Sequence, residues 1–95
     1  MNPVLQRIRK KVARGNVPTA IAVYVALCEA INNEGDGYSI VASHSDIGDL
    51  CFLSVDTVLK RLRDLRHAGV IVVKPLGSGE KNKYTLPNKS AGLPH

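Results

Sequence analysis

The chain has few of the residues that mark several common classes of protein. It contains two cysteines, three tyrosines, one phenylalanine and no tryptophan among 95 residues. Two cysteines, Cys28 and Cys51, are too few for a disulfide framework of the kind that holds small secreted domains together. No run of about 18 apolar residues occurs, so a membrane-spanning helix is not expected. With aromatic residues so scarce, Val, Ile, Leu and Ala must supply most of the core.

The N-terminal residues lack the continuous apolar segment and small-residue cleavage site of a secretory signal peptide. We therefore expect a cytoplasmic protein that does not associate with membranes. A length of 95 residues suffices for one compact domain and is too short for two ordinary ones. The expected organisation is a basic N-terminal helix over residues 1–15, a folded domain over residues 16–87 and a polar tail over residues 88–95.

Patterns typical of catalytic, metal and phosphate-binding sites are also missing. No nucleophile elbow or paired-carboxylate motif is present. His44, His67 and Cys51 do not have the spacing of zinc ligands. The glycine-containing segment 77–79 lies between two strand-like segments rather than before a helix, unlike a phosphate-binding loop. We expect a protein that is not an enzyme and that needs no metal, cofactor or small-molecule ligand.

Charge of each sign is absent from long parts of the chain. Residues 1–14 carry five basic side chains and no acid, whereas residues 15–53 carry five acids and no Lys or Arg. Residues 54–95 add eight basic side chains and three acids, and the net charge is +5. Such segregation gives separate surfaces of opposite sign, and positive surfaces attract polyanions. Basic helices are also found as merely solvated surfaces, so charge alone does not decide the function.

Apolar spacing and capping residues predict four helices. Val4, Ile8 and Val12 recur every four residues after Pro3, and Gly15 is expected to end this helix. A second helix is expected from Pro18 to about Asn32. It is apolar nearly all round, with a stripe that includes Val25, and is therefore expected to be central.

The remaining helices and strands complete the prediction. Ser43 and Asp46 have the spacing of a capping box before a short helix that ends near Cys51. A longer helix is expected to start at Ser54 and to stop at Gly69. Residues 38–41, 70–74 and 83–86 are β-prone, and the last two flank a hairpin loop. The chain is thus expected to be mostly α with a small antiparallel β wing, an α+β fold.

Residues 43–71 resemble the winged helix-turn-helix family. The matching pattern is Ser43-xxx-Ile47-Gly48-xxx-Phe52-Leu53-Ser54-xx-Thr57-Val58-xxx-Leu62-xx-Leu65-xxx-Gly69-Val70-Ile71. The resemblance implies a three-helix core, here preceded by the basic N-terminal helix, and a wing formed by the hairpin. Gly48 stands where the two helices of the motif pass closest, so that only a small residue fits. Phe52 departs from the pattern, because the family has glycine in this turn; we expect either a different path or a strained or exposed phenylalanine.

The resemblance implies sequence-specific binding of double-stranded DNA, with the helix after Ser54 in the major groove. The candidates on this recognition helix are Ser54, Asp56, Thr57, Lys60, Arg61, Arg63 and Arg66. The first five are expected to face base edges, and the last two to contact phosphates or to stay solvated. The candidates on the wing are Lys74, Ser78, Lys81 and Lys83. The N-terminal helix adds Arg7, Lys10, Lys11 and Arg14, as phosphate contacts or beside a dimer interface.

Three functions agree with this prediction. The first is a transcription regulator that acts as a homodimer, because one recognition helix reads only a few base pairs and two-fold symmetry doubles the site. The second is the DNA-binding module of a plasmid or phage replication or maintenance protein. The third is a winged helix that binds protein instead of DNA. Salt dependence separates the third from the others, because several phosphate contacts make affinity fall steeply with added salt.

Overall fold

The helices and strands follow one another in the order that the sequence predicts. The computed structural model describes residues 3–77 and 81–87. Its elements are α1 (Pro3–Lys11), a short 3-10 helix (Arg14–Asn16), α2 (Val17–Asn33), β1 (Ser39–Ser43), α3 (His44–Cys51), α4 (Val55–His67), β2 (Val72–Pro75) and β3 (Lys81–Thr85). This confirms an α+β fold with mainly helices and a small antiparallel sheet. The predicted tail, residues 88–95, and the wing candidate Ser78 lie outside the described residues.

Serine side chains start both helices of the predicted helix-turn-helix. The Ser43 hydroxyl accepts a hydrogen bond from the Asp46 backbone N–H at 3.0 Å, and the Asp46 carboxylate accepts one from the Ser43 N–H at 3.0 Å. This is the predicted capping box, which satisfies N–H groups that have no partner within the helix. At the start of α4, the Ser54 hydroxyl accepts from the Thr57 N–H at 3.2 Å. The sequence therefore fixes both helix starts.

The turn between α3 and α4 brings the two helices close together at Gly48. A Cβ on Gly48 would lie 2.7 Å from the Leu53 carbonyl oxygen and 3.6 Å from Val58 Cγ2. The prediction that only a small residue fits here is confirmed. Phe52 ends α3 in the left-handed conformation, at φ 58° and ψ 38°, and its residue surface is 93% exposed. The prediction of a strained or exposed phenylalanine is confirmed on both counts.

The three strands form one antiparallel sheet with β3 in the centre. β1 pairs with β3 so that Ile40 faces Tyr84, and β2 pairs with β3 so that Val73 faces Tyr84. Because side chains alternate along a strand, Asn82 shares the inner face of the sheet with Tyr84, whereas Lys81 and Lys83 point to the outer face. The sheet thus covers the helices with an apolar inner face.

A single core cluster joins every helix α1–α4 to the sheet. Its largest fully buried side chains are Ile8, Val23, Leu27, Ile31, Ile47, Val58, Leu65, Val70, Ile71 and Tyr84. α2 contacts α1, α3, α4 and β1, which agrees with its predicted central place. The prediction that Val, Ile, Leu and Ala supply most of the core is confirmed, and Tyr84 adds a fully buried aromatic side chain.

Several expected boundaries and orientations are wrong in detail. α1 ends at Lys11, and Gly15 lies within the short 3-10 helix instead of ending α1. Val25 is exposed, because α2 buries the neighbouring positions Val23, Ala26 and Leu27 instead. The hairpin strands are also displaced along the chain: β2 begins two residues later than predicted, at Val72, and β3 begins two residues earlier, at Lys81.

Candidate nucleic-acid interface

The outer surface of α4 carries most of the predicted recognition residues. Val58, Leu62 and Leu65 are buried against the rest of the fold. The opposite side of the helix is exposed and presents Val55, Asp56, Leu59, Lys60, Arg63, Arg66 and His67. Three of these side chains are cations of the predicted set, and they extend over about two turns of helix. The helix therefore offers a continuous surface that a ligand can reach.

Arg61 does not lie on that outer surface. Its side chain is 13% exposed, and its Nε atom lies 3.0 Å from an Asp64 carboxylate oxygen. The neighbouring Lys60 side chain is 58% exposed. Arg61 flanks the buried stripe of the helix, and Asp64 lies three residues later on the same flank. The two atoms are oppositely charged neighbours, although neither Arg61 Nε nor Asp64 Oδ2 makes a hydrogen bond within the described residues. The prediction that the Arg61 side chain faces outward is therefore wrong.

The polar residues in the first two turns of α4 are partly engaged with one another. Lys60 Nζ lies 3.0 Å from Asp56 Oδ2, and both side chains are largely exposed. The Ser54 hydroxyl donates to Thr57 Oγ1 at 2.9 Å besides accepting the cap hydrogen bond. An exposed ion pair of this kind contributes little free energy and exchanges readily for other partners. Asp56 and Lys60 therefore remain able to contact a ligand, whereas Ser54 and Thr57 also serve the helix start.

A groove of about 240 Å³ separates α4 from the inner face of the sheet. Its walls are Leu59, Leu62, Arg63 and Arg66 from α4, Val73 and Pro75 from β2, Asn82 and Tyr84 from β3, and His44 from α3. The two arginines, Arg63 and Arg66, are exposed, while Leu62 and Tyr84 are buried. The groove thus has an apolar floor and cationic groups on its helix side.

Polar side chains from α3 and β3 meet inside this groove. Asn82 Nδ2 donates to the Tyr84 hydroxyl at 3.2 Å and lies 3.4 Å from His44 Nε2. Burial raises the pKa of Tyr84, and the hydrogen bond from Asn82 opposes this shift in part. Tyr84 is therefore a neutral core side chain at physiological pH. The contact between His44 and Asn82 links the start of α3 to the hairpin.

The lysines predicted for the wing lie on the other side of the sheet from the groove. Lys74 stands directly opposite Lys83 on neighbouring strands, and Lys81 stands opposite Ser43. Lys83 also lines a shallow depression with Glu34 and Asp36. The structure therefore does not bring Lys74, Lys81 and Lys83 into the groove beside Arg63 and Arg66. They form a separate basic row on the outer face of the sheet.

The predicted N-terminal cations lie on α1 and the 3-10 helix. Arg7, Lys10, Lys11 and Arg14 are all exposed. The Arg7 guanidinium comes close to the end of α4, since its Nη1 atom lies 3.8 Å from the place of a Cβ on Gly69. A cation at this end of a helix interacts favourably with the partial negative charge of the last carbonyl groups. Arg7 therefore contributes to the folded state as well as to the basic surface.

Acidic side chains collect on a different surface, formed by α2, α3 and the loop after α2. Glu29, Glu34, Asp36 and Asp49 are exposed there. The backbone N–H groups of Tyr38 and Ser39 donate to Asp36 and hold the pKa of its carboxyl below the usual range. A carboxylate surface of this kind repels phosphate. It leaves α4 and the basic surfaces of α1 and the sheet as the places where a polyanion can bind.

Two exposed side chains of α4 were not among the predicted site residues. Val55 and Leu59 are 48% and 38% exposed, one helical turn apart. The signal was present in the sequence: both lie outside the buried stripe of Val58, Leu62 and Leu65, so a helix that buries that stripe must expose them. His44 and Asn82 were also missed, because only the folded chain brings α3 and β3 together.

The described part of the chain holds neither a metal cluster nor a membrane span. In residues 3–77 and 81–87, no three or more His, Cys, Asp or Glu side chains gather as a metal ion would require. The longest helix described, α2, has 17 residues, and no helix in this part of the chain has the length and apolar character needed to cross a bilayer.

The comparisons with known proteins do not identify a family. No family model matches the chain, and no curated protein matches it in sequence.

Proposed function

We propose that this chain is a winged helix domain that binds double-stranded DNA, with α4 in the major groove and the hairpin beside it. The order of the elements and the antiparallel sheet β1-β3-β2 support the assignment to this family. The proposal depends most on one observation: α4 has an exposed outer surface with the cations Lys60, Arg63 and Arg66. Cations on a helix of this width suit a major groove lined by phosphates.

Arg63 and Arg66 are the phosphate contacts in this proposal. Both line the groove between α4 and the sheet. The proposal places the flank of the bound duplex against this side of the helix. The first two turns of α4 then enter the major groove with Asp56, Leu59 and Lys60. Arg61 is left out of the base-reading set because its side chain is turned toward Asp64.

The salt dependence of binding tests this assignment. Arg63→Ala and Arg66→Ala should each lower affinity for all duplexes and reduce the slope of log K against log salt by about one unit. Arg61→Ala is the matched control, since it removes the same side chain two positions earlier on the same helix. It should leave the slope unchanged. Fluorescence anisotropy with a labelled duplex at several salt concentrations gives all four slopes, wild type included.

Unchanged slopes in Arg63→Ala and Arg66→Ala would contradict the proposed interface, and so would an equal reduction in Arg61→Ala. Circular dichroism of each variant at the assay temperature shows whether the comparison is made between folded proteins. The Arg61→Ala control needs this check most, because its guanidinium is largely covered.

A homodimer that regulates transcription is the form of this function that we propose. Two copies of α4 related by two-fold symmetry would read two half-sites about one helical turn of DNA apart. Selection of bound sequences from a random duplex pool reports this symmetry as a palindrome. An origin-binding replication module would use the same surface of α4, and the genomic neighbourhood distinguishes these two roles.

Protein binding is a second candidate, favoured by the exposed apolar residues at the end of α3. Leu50 and Phe52 are exposed, and Leu50 lies beside Glu29 and Glu34 of the acidic surface. Large exposed hydrophobic side chains near carboxylates suit a protein partner and do not suit DNA. Under this alternative, Phe52→Ala abolishes partner binding while Arg63→Ala leaves it intact, and affinity depends only weakly on salt.

A further inference from the structure

The outer surface of α4 presents aliphatic side chains where the sequence led us to expect an arginine. Val55 and Leu59 lie at positions i and i+4 and are substantially exposed, while the Arg61 guanidinium is turned to Asp64. Lys60 and Arg63 flank Leu59 along the same surface. An aliphatic patch bordered by cations therefore lies on the part of α4 that the proposed function places against base edges.

In the major groove, aliphatic side chains contact bases mainly by packing against the thymine methyl group. Thymine is the base that presents an apolar group there, its C5-methyl, and side chains such as those of Val55 and Leu59 can bury it. Guanine is read best by a bidentate arginine. In the first two turns of α4 the arginine, Arg61, is covered, and the exposed basic group is a lysine, Lys60, which has no bidentate guanidinium. The side-chain chemistry of this half of the helix thus fits thymine better than guanine.

We propose that Val55 and Leu59 determine a preference for thymine-containing sites by packing against thymine methyl groups in the major groove. This inference rests on the proposed DNA binding and specifies which bases are read. The occupant of the patch is duplex DNA, because Lys60, Arg63 and Arg66 border it with positive charge. Asp56, the acidic residue of this surface, is paired with Lys60. The exposed acids Glu29, Glu34 and Asp49 lie on α2, the loop after α2 and α3.

Removal of the methyl groups alone tests the proposal. The two probes are an alternating A·T duplex of about 20 base pairs and the same duplex with uracil in place of every thymine. They differ in the C5-methyl groups and have the same phosphate charge. One buried methyl group contributes about fourfold in affinity, so two contacts should make the A·T duplex bind about 15-fold more tightly.

Exposed residues elsewhere in the chain provide matched controls. Val55→Ala should reduce the A·T to A·U affinity ratio to about fourfold, and Val55→Ala combined with Leu59→Ala should bring it close to one. Val72→Ala truncates a valine of similar exposure, 50%, on β2, and Leu50→Ala truncates an exposed leucine on α3. Both controls should keep the wild-type ratio.

The outcomes separate the two proposals. Equal affinity of the wild-type protein for the two duplexes overturns the thymine proposal and leaves DNA binding in place. An unchanged ratio in the α4 double variant also overturns it. If neither duplex binds at low salt, the proposed DNA binding fails as well, and the aliphatic patch of α4 belongs to a protein contact. The wild-type comparison decides the matter even where an α4 variant does not fold.

Discussion

Phe52 occupies a backbone conformation that is unfavourable for residues with a Cβ atom, although less so for Asn and Asp. Its φ of 58° lies in the left-handed region, which costs such residues roughly 1–2 kcal/mol. The side chain regains little of this by packing, because it is almost wholly exposed. Glycine adopts the same conformation without the steric cost.

Phe52→Gly should therefore stabilise the protein. The relieved strain exceeds the extra backbone entropy that glycine has in the unfolded chain, and we expect a gain of about 0.5–1 kcal/mol in the free energy of unfolding. Urea denaturation measured by circular dichroism gives this value. Phe52→Ala keeps the Cβ atom and should stay within about 0.5 kcal/mol of wild type. A lower stability for Phe52→Gly than for Phe52→Ala would contradict the strain assigned to the left-handed backbone at this position.

The close approach at Gly48 and the strain at Phe52 could both be predicted from the sequence, because both depend on backbone geometry. Each stands at a fixed place in a helix-turn-helix pattern, where either space or a positive φ is required. Arg61 could not be placed in the same way. Its position on α4 lies between the buried and exposed sides, and in the folded chain its guanidinium lies on the covered side beside the Asp64 carboxylate.

At the scale of elements, the start of α3 depends on a carboxylate. The backbone N–H of Ser43 donates to Asp46 and is the main reason why the pKa of that carboxyl lies below its usual range; the charge of Lys81 contributes less. A lowered pKa in the folded state stabilises the fold at every pH above the unfolded value, about 3.9. That stabilisation is lost as the pH falls through the folded value.

Asp46→Asn should consequently destabilise the protein at pH 7 and much less at pH 2. A protonated carboxyl and an amide are similar hydrogen-bonding groups, so the two proteins converge when Asp46 takes up its proton. Urea midpoints at both pH values test this. Asp49→Asn removes an exposed carboxyl from the next turn of α3 and controls for the change in net charge. A stability difference that is the same at pH 7 and pH 2 would contradict the assigned role of the Asp46 carboxylate.

The starts of α3 and α4 were predictable to the residue, whereas α2 begins one residue before its predicted start and the strands were displaced by one or two positions. Ser43 and Ser54 cap α3 and α4 through hydrogen bonds whose partners lie only three residues away in the sequence. Strand bounds depend on pairing between distant segments, and the fully buried pair Val70 and Ile71 precedes β2 instead of belonging to it. The orientation of α2 was similarly undetermined, because a helix that is apolar all round has no preferred side until its neighbours pack on it.

At the scale of the whole molecule, α1 belongs to the same core as the domain that follows it. Its Val4 and Ile8 side chains are buried in the cluster that also contains side chains of α2 and α4. The sequence predicts residues 1–15 as a separate segment. The charge pattern predicted a basic N-terminal helix outside the folded domain. The apolar side of the same helix, however, packs against the rest of the chain.

Ile8→Ala should destabilise the entire protein by about 2–5 kcal/mol, since it removes a fully buried side chain and leaves a cavity. Ile8→Val should cost about 0.5–1.5 kcal/mol, which grades the effect by volume. Unfolding followed by circular dichroism should remain a single transition in both variants. If α1 melts in a separate early transition and the main midpoint does not move, the helix is an appendage of the domain.

The basic row on the sheet has a consequence for the hairpin itself. Lys74 and Lys83 carry like charges on directly opposed positions of β2 and β3, an arrangement that weakens strand pairing. Dissolved salt or a bound polyanion shields that repulsion and draws the two strands together. Pairing between β2 and β3 is thus weakest at low ionic strength, and a polyanion bound along this row also stabilises the hairpin.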